Sequence, residues 1–156
     1  MNRLSAHNLP ANAALPAYDR AARRVGIVHF GLGAFTRAHQ AWYTDRAMAQ
    51  QGSDWLICGV SLRSPAVGEQ LNPQDGLYTL AEMSCAGARL QVIGSVAEVL
   101  LATVQRTQII ARLIASSTHI VTFTVTVMGY CRKADGGLDL DLAAQGFYAL
   151  LAEALA

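Results

Sequence analysis

One stretch near the N-terminus, residues 25–40, constrains the fold of this chain more than any other. It begins with a nearly continuous apolar run from Val25 to Phe30, which is typical of a strand covered on both faces of a parallel sheet. Two glycines follow, Gly31 and Gly33, and after them the sequence is compatible with a helix. The stretch therefore predicts a strand, a tight turn and the start of a helix.

The two glycines predict a turn that can hold phosphate. Gly31 allows the chain to turn sharply off the strand, and Gly33, which has no Cβ, allows a pyrophosphate to approach the backbone at the positive end of the helix. Thr36 replaces the third glycine of the dinucleotide fingerprint. A tight turn without a ligand would use the same glycines, so the spacing alone leaves both interpretations open. Arg37 either supplements the helix dipole at the phosphates or points into water.

The residues after this turn predict a parallel strand, helix and strand unit. Apolar residues recur at helical spacing from Phe35 to Gln51, which predicts one helix. Residues 55–61 form a second apolar run, which predicts a second buried strand. The two strands and the helix between them have the length of a βαβ unit.

The second half of the chain predicts further elements of both types. Residues 77–83 and 89–96 read as an antiparallel hairpin with a glycine in its loop. Residues 98–115 have helical spacing and predict one short and one longer helix. Residues 119–127 are rich in β-branched side chains and predict a strand, and residues 142–155 predict a final helix.

These elements predict an α/β fold with a mostly parallel sheet and an antiparallel hairpin inserted into it. Residues 1–24 lack lasting periodicity and are expected to form an N-terminal arm, with residues 25–156 as a single domain. No strand pattern follows the final helix, so the sheet is expected to be truncated. An unpaired strand edge would be left exposed, and self-association through that edge is one consequence we expect.

Composition narrows the partners that this chain can have. Of its 156 residues 53% are apolar and 15% charged, and the formal net charge is +1, which favours neither disorder nor binding to nucleic acid. The three cysteines form no CxxC pair, so reduced thiols and no metal site are expected. A signal-peptide apolar block and a run of about 20 apolar residues are both missing. We therefore expect a cytoplasmic protein that is not in a membrane.

The end of the second predicted strand bears on the choice of cofactor. A carboxylate at this position would bind the ribose hydroxyls of NAD, but the sequence has Ser61, Leu62 and Arg63 there. Ser61 can hydrogen-bond a ribose oxygen. Arg63 can pair with the 2′-phosphate of NADP or can be a solvated side chain, so the choice between NAD and NADP stays open.

Alternating threonines and two histidines are further candidates. Thr122, Thr124 and Thr126 share one face of the last predicted strand, where they either contact the nicotinamide ribose or serve only as good strand formers. His29 is expected to be a hydrogen-bonded residue of the first strand, and His39 a helix residue facing the turn. Neither histidine has a second titratable group at a spacing that suggests a catalytic pair.

Four blocks in sequence order resemble the N-terminal domain of the mannitol dehydrogenase family. These polyol-specific long-chain dehydrogenases include mannitol 2-dehydrogenase and fructuronate reductase. The resemblance extends from about Asn8 to about Asp141. The blocks are residues 31–40, 58–64, 74–80 and 124–131, with Thr124-Val125-Thr126 preceding Gly129-Tyr130-Cys131 in the last of them.

The resemblance implies a Rossmann-type domain that binds NAD, with NADP not excluded. In full-length members a largely helical domain follows, and the whole enzyme transfers hydride between the cofactor and a polyol, ketose or sugar acid. That second domain supplies the catalytic lysine and its Asn and His helpers, so this chain is expected to hold no catalytic residue and to be inactive alone. The expected cofactor-binding residues are Phe30, Gly31, Leu32, Gly33, Ala34, Phe35, Thr36, Arg37, Ser61, Arg63, Thr124 and Thr126.

Two departures from the family pattern favour other interpretations. Family members usually have His at the position of Thr36, and Glu-Lys where this chain has Val127-Met128. These differences favour a defective remnant without a nucleotide site. The truncated sheet favours a third interpretation, a non-catalytic nucleotide-binding or interaction module covered by another chain.

Overall fold

The computed structural model of the protein describes residues 3–124 and 130–156. Its strands are β1 (Val25–Phe30), β2 (Leu56–Ser61), β3 (Tyr78–Ser84), β4 (Gly87–Ile93), β5 (Val96–Leu101) and β6 (Ile120–Phe123). Its helices are α1 (Ala34–Ala38), α2 (Gln40–Gln51), α3 (Ala66–Leu71), α4 (Arg106–Leu113), α5 (Leu140–Gln145) and α6 (Phe147–Leu155), with a 3-10 turn at Asn72–Gln74.

The main sheet has the strand order β5-β2-β1-β6, and its strands are all parallel. Strands β3 and β4 form a separate antiparallel hairpin, paired from Tyr78 opposite Ile93 to Ser84 opposite Gly87. The predicted α/β fold with a hairpin insertion is therefore confirmed. From β1 the chain moves outward through β2 to β5 and then returns to the other side of β1. This reversal creates a crevice beyond the carboxyl ends of β1 and β6, where ligands bind in open α/β sheets.

Apolar side chains cover both faces of the sheet. On one face Val28 and Phe30 of β1 pack with Ile109 of α4 and with Phe147 and Leu150 of α6. On the other face a second cluster surrounds Ile27. Its buried members are Ile27, Leu32, Ala41, Ile57, Leu71, Ile93, Val96 and Val99. Burial on both faces explains why β1 reads as a continuous apolar run rather than an alternating one.

The prediction of a short helix after residue 98 is wrong, because residues 96–101 form strand β5. The apolar residues of this segment fit helical spacing as well as they fit a strand. Val96, Val99 and Leu100 become buried only when the segment pairs with β2, where Gly59 lies opposite Val99. The same strand takes Val96 away from the predicted hairpin, whose second strand ends at Ile93. Only the longer predicted helix exists, as α4.

The single helix predicted from Phe35 to Gln51 is broken into α1 and α2 at His39, which has φ −119° and ψ −81°. The hydroxyl of Tyr78 donates a hydrogen bond of 2.6 Å to the carbonyl of Arg37. That carbonyl is the acceptor that residue 41 would use in a continuous helix. The contact from the hairpin therefore favours the break.

The final helix is also divided, at Gly146. This residue has φ −96° and ψ −160°, an extended conformation that ends α5 and begins α6. The division places Phe147 and Leu150 against the sheet. The spacing of apolar residues correctly predicted helix α6, whereas it did not predict the interruption at Gly146.

The N-terminal arm contacts the domain through hydrogen bonds to the hairpin and to the segment before β5. The backbone of Ala14 bonds with Leu90 and Val92 of β4, at 3.0 and 2.7 Å. Tyr18 donates a 2.7 Å hydrogen bond to buried Asp45, and burial raises the pKa of that carboxyl. The side chain of Arg20 donates to the carbonyls of Gly94 and Val96.

None of the helices within the described ranges combines the length and the apolar character needed to cross a bilayer.

Candidate functional site

Gly31 begins the turn after β1 and is held in a conformation that disfavours other residues. Its φ is +90°, and its N–H donates a 2.9 Å hydrogen bond to the carbonyl of Val60 in β2. A Cβ built on Gly31 would lie 2.6 Å from the carbonyl oxygen of Thr124, just after β6. Both the positive φ and the close approach of β6 therefore require glycine here.

Gly33 has a different environment from Gly31. Its backbone is extended, with φ −81° and ψ −175°, so that alanine could adopt the same conformation. A Cβ built on Gly33 would meet only the carbonyl oxygen of Gly31, at 3.8 Å. Nothing in the fold of the described residues requires a glycine at this position. The space beside Gly33 is open where the backbone turns into α1, which fits a ligand that approaches the backbone closely.

Leu32 lies between these glycines with its side chain buried against β2. A Cβ on Gly59 would lie 2.6 Å from Leu32 Cδ2, so Gly59 makes room for Leu32. Leu32 therefore anchors the turn to the sheet. Phe30 is likewise buried, in the core on the other face. Phe30 and Leu32, which were both predicted as cofactor-binding residues, therefore have their side chains in the protein interior.

A polar cluster lies beneath the turn and consists of His29, Thr36, Gln40, Thr122 and Thr124. His29 and Thr36 are each 1% exposed. His29 Nδ1 is 2.8 Å from Thr122 Oγ1, and His29 Nε2 is 2.9 Å from Thr36 Oγ1 and 3.2 Å from Thr124 Oγ1. The hydroxyls of Thr36 and Thr124 are 2.8 Å apart. The cluster thus connects β1, α1 and the end of β6.

The acceptors around His29 favour one tautomer. The carbonyl of Gly31, which can only accept, lies 3.3 Å from Nε2, so a proton on Nε2 satisfies this side of the ring. Nδ1 then accepts from the hydroxyl of Thr122, whose oxygen accepts in turn from the amide of Gln40 at 3.1 Å. Burial lowers the pKa of His29, with the Gly31 contact as a smaller opposing effect. The ring is therefore neutral at neutral pH and acts as a structural connector.

Helix α1 presents exposed groups at the start of the turn into the helix. Its first N–H groups have no acceptor within the helix, and its N-cap Gly33 has no side chain that could satisfy them. Ala34 and Phe35 are exposed, and Phe35 stacks on His39 with ring centroids 4.4 Å apart. Arg37 bends back and donates a 3.2 Å hydrogen bond to the carbonyl of Leu32. His39 is exposed and bonds the carbonyl of Phe35 through Nδ1 at 2.9 Å.

The carboxyl ends of β2 and β5 lie at the same end of the sheet as the glycine turn. Ser61 is partly buried at the end of β2, and Arg63 is exposed just beyond it. A cavity of about 240 Å³ opens here. Its lining residues are Leu62, Arg63, Ala102, Thr103, Arg106, Leu142, Gly146 and Leu150. Because neighbouring parallel strands have their carboxyl ends at the same end of the sheet, this cavity and the glycine turn both lie at that end.

The structure brings together most, though not all, of the predicted site residues. Thr36 and Thr124 meet at the polar cluster, while Ser61 and Arg63 lie at the neighbouring strand end. Thr126 and the Val127-Met128 pair lie outside the described residues. His29 is a hydrogen-bonded residue of the first strand, as predicted, but its threonine partners were not predicted because they are 7 to 95 positions away in sequence and form no local pattern. The leucines of the cavity were missed for the same reason.

The sequence matches the mannitol dehydrogenase Rossmann domain over residues 25–155. The chain belongs to the mannitol dehydrogenase family. Its match to that domain agrees with the strand order, and the order β5-β2-β1-β6 is that of the first four strands of a dinucleotide-binding fold. This confirms the family resemblance predicted from the sequence blocks.

Relatives and solved structures agree with this assignment. The chain is 42% identical to an uncharacterized oxidoreductase, YeiQ, of Escherichia coli (strain K12), over 89% of this chain and 29% of that protein. It is 41% identical to a mannitol 2-dehydrogenase of Pyrenophora tritici-repentis (strain Pt-1C-BFP), over 82% of this chain and 24% of that protein. The fold superposes on Pseudomonas fluorescens mannitol 2-dehydrogenase, solved as a ternary complex with NAD and D-mannitol, with a TM-score of 0.80 and 40% identity. That match covers 88% of this chain and 30% of the solved one, so the chain spans under a third of the length of these proteins.

Proposed function

We propose that this chain is the cofactor-holding part of an oxidoreductase that transfers hydride between a nicotinamide dinucleotide and a polyol, ketose or sugar acid. The reaction would be of the mannitol 2-dehydrogenase or fructuronate reductase type. Residues 25–156 would form the binding domain, with residues 1–24 as an arm against it. The family assignment and the solved neighbour with NAD and D-mannitol support it.

The environment of Gly33 carries the proposal. A glycine that packing does not require, with a Cβ position in open space at a helix start, fits a phosphate that approaches the backbone. The first N–H groups of α1 would donate to the pyrophosphate. Leu32 and the polar cluster would hold the turn in shape, and Ser61 would bond a ribose oxygen. The exposed positions Ala34 and Phe35 would border the ligand.

The nicotinamide ring, when bound, would accept or deliver the hydride. The residues of this chain would bind and orient the dinucleotide, with Thr124 near the carboxyl end of β6 beside the crevice. His29, whose ring lies 3.3 Å from the Gly31 carbonyl of the turn, is buried and hydrogen bonded, which does not fit a role in moving a substrate proton. We infer that proton transfer belongs to residues outside this chain, so the isolated chain would bind cofactor without turning over substrate.

Titration of NADH into the isolated chain, followed by calorimetry, tests the binding step. Saturable binding with one site per chain is expected. A parallel assay with NAD and D-mannitol, and with NADH and fructuronate, should show no turnover. Absence of NADH binding at millimolar concentration would contradict the proposed function, and sustained cofactor-dependent turnover would contradict the inferred need for residues outside the chain.

The open edge of β6 favours a second candidate, an interaction module. Ile120 and Phe123 are 41% and 48% exposed on this edge strand, whose partner among the described strands is β1 alone. The opposite edge, on β5, is protected. There the side chain of Asn72 both accepts from the N–H and donates to the carbonyl of Val99, each at 2.9 Å, and Gln105 accepts from the N–H of Leu101. Of the two edges of the main sheet in the described part of the chain, the β6 edge is therefore the one that offers a template for pairing with a second copy of the chain.

Sedimentation at several protein concentrations distinguishes the two candidates. Association that is lost in a Val121→Lys variant would support pairing at β6, because a charged residue on an edge strand opposes edge pairing. If the chain is a monomer at every concentration, the interaction module is excluded as a candidate, whereas the proposed cofactor-holding function is unaffected.

A further inference from the structure

We propose that Tyr78 of the hairpin is a positioning residue for the dinucleotide, and that it acts through Arg37 on the backbone around Gly33. The inference rests on the proposed function, since it concerns the turn to which the pyrophosphate would bind. It deepens that function by giving the β3-β4 hairpin a role in cofactor affinity. Arg37, which the sequence predicts as a cofactor-binding residue, then contributes through the shape of the turn.

Arg37 connects the turn to the hairpin through three hydrogen bonds. Its guanidinium donates to the carbonyl of Leu32 at 3.2 Å, and its N–H donates to the carbonyl of Gly33 at 3.1 Å. Its own carbonyl accepts from the hydroxyl of Tyr78 at 2.6 Å. The carbonyls of Leu32 and Gly33 belong to the two peptide groups on either side of Gly33. The position of Arg37 therefore fixes the orientation of both peptide groups.

Tyr78 is held firmly enough to position Arg37. Its ring packs against the buried cluster around Ile27, while its hydroxyl points to the Arg37 carbonyl. Its partner in the hairpin register is Ile93, which is fully buried. Burial raises the pKa of Tyr78, so the hydroxyl keeps its proton and remains a donor at neutral pH. Tyr78 thus fixes Arg37 from the base of the hairpin.

A second contact of the hairpin provides a comparison. Gln91 Oε1 accepts a 3.0 Å hydrogen bond from Trp42 Nε1, in α2. Trp42 follows the break at His39, whereas Arg37 precedes it and lies next to the turn. Loss of the Gln91 contact therefore loosens the hairpin from α2 without removing a bond to Arg37. The two contacts can be separated by mutation.

The hydroxyl of Tyr78 should raise cofactor affinity because it prepares the turn before the ligand arrives. A site that already has its binding conformation loses less conformational freedom when the ligand binds. Without the hydroxyl, the carbonyl of Arg37 becomes available to the N–H of residue 41, its partner in a continuous helix. That exchange would move Arg37 and the two peptide groups beside Gly33 with it.

Calorimetric titration of NADH, at a temperature where every variant is fully folded, tests the inference. Tyr78→Phe keeps the ring and should weaken NADH binding about fivefold, which corresponds to the net contribution of one hydrogen bond. Tyr43→Phe is the matched control, because the Tyr43 side chain is exposed and its hydroxyl has no hydrogen bond within the described residues. Gln91→Met removes the other contact of the hairpin. Both controls should stay within about twofold of the original affinity.

The Arg37→Gln background tests whether Tyr78 acts through Arg37. Two residues that act as one unit have non-additive effects, so Tyr78→Phe should change NADH affinity by less than about twofold in this background. The same fivefold loss in both backgrounds would show that the two residues act separately, and would overturn the inference. A hydroxyl that served stability alone would lower the free energy of unfolding and leave the affinity of the folded chain unchanged.

The remaining outcomes separate this inference from the proposed function. If Tyr78→Phe binds NADH as well as Tyr43→Phe does, the inference is overturned and the proposed function stands. A loss that Gln91→Met shares would show that general loosening of the hairpin is responsible, and would also overturn the role of Tyr78. Absence of NADH binding to the original chain would overturn the proposed function and this inference together.

Discussion

Around the turn after β1 the polar side chains are bonded to one another, and two of them, His29 and Thr36, are buried, whereas at the ends of β2 and β5 the arginines lie exposed around a cavity. His29 and Thr36 are hydrogen bonded to side chains on several elements, while Arg63 makes no hydrogen bond or ion pair in the part of the chain that the structure describes. The first region is therefore held by contacts within the protein, whereas the second has fewer of them. Substitutions in the first region should therefore change the free energy of unfolding, and those in the second should change it little.

Gly31→Ala should have the largest effect on stability. The substitution places a Cβ 2.6 Å from the Thr124 carbonyl and imposes φ +90° on a non-glycine residue. Strain of about 1–2 kcal/mol and overpacking of about 1–3 kcal/mol predict a loss of about 2–5 kcal/mol in the free energy of unfolding, measured in urea. Gly87→Ala is the control, because Gly87 has φ +111° but no atom within 4 Å of its Cβ position. Equal losses in the two variants would show that the close approach of the Thr124 carbonyl to residue 31 adds nothing to the destabilisation.

His29→Gln should have the next largest effect. Glutamine can replace one ring nitrogen but not both, so either Thr122 or the pair of Thr36 and Thr124 loses its partner. A buried group left without a hydrogen bond costs about 1–3 kcal/mol, which thermal and urea unfolding would detect. Little or no change would mean that the polar cluster does not stabilise the turn.

Acidification should destabilise the chain through His29. Because burial lowers the pKa of His29 in the folded state, the unfolded chain binds more protons below its ordinary pKa of about 6.5. The contribution of His29 is therefore present in full above about pH 6.5 and falls as the pH drops below that value. The slope is at most about 1.4 kcal/mol per pH unit for one proton. Unfolding free energies of the original chain and of His29→Gln, compared between pH 7 and pH 5, should converge; parallel curves would contradict the burial argument.

Substitutions at the cavity beside the ends of β2 and β5 should have little effect on the free energy of unfolding. Arg63→Gln should change the unfolding free energy by less than about 0.5 kcal/mol, as is usual for an exposed side chain. Glu153→Gln removes the ion pair with half-exposed Arg106 and should cost less than about 1 kcal/mol. A loss of several kcal/mol in the free energy of unfolding of either variant would contradict this difference between the two regions, because it would show that residues at the cavity rim also stabilise the fold.

The parts of the fold that could be predicted from the sequence are those with local causes. The run from Val25 to Phe30 is apolar because β1 is buried on both faces, and the glycines after it mark a turn whatever lies around them. Strand β2 and the hairpin have similarly local patterns. For β1 and β2 one window of sequence was enough to predict both type and position, and for the hairpin it predicted the type but placed the end of the second strand at residue 96 rather than at Ile93.

The features that sequence alone did not predict depend on distant contacts. Residues 96–101 become a strand because they pair with β2, and α1 ends where the hydroxyl of Tyr78 reaches the Arg37 carbonyl. Thr36 was predicted as a cofactor-binding residue at the position of the third glycine, and the sequence did not reveal that it is a buried partner of His29 and Thr124. Each of these outcomes is fixed by residues that lie far away along the chain.

NADH titration of Gly33→Ala beside the original chain tests the central claim, that the turn after β1 holds the dinucleotide. The protein itself has room for this Cβ, so the variant should unfold at the same temperature as the original chain, within the error of the measurement. A pyrophosphate seated against the backbone has no such room, and NADH binding should weaken by about tenfold or more. Unchanged stability together with unchanged NADH affinity would contradict the account, because it would show that no ligand approaches the backbone at Gly33.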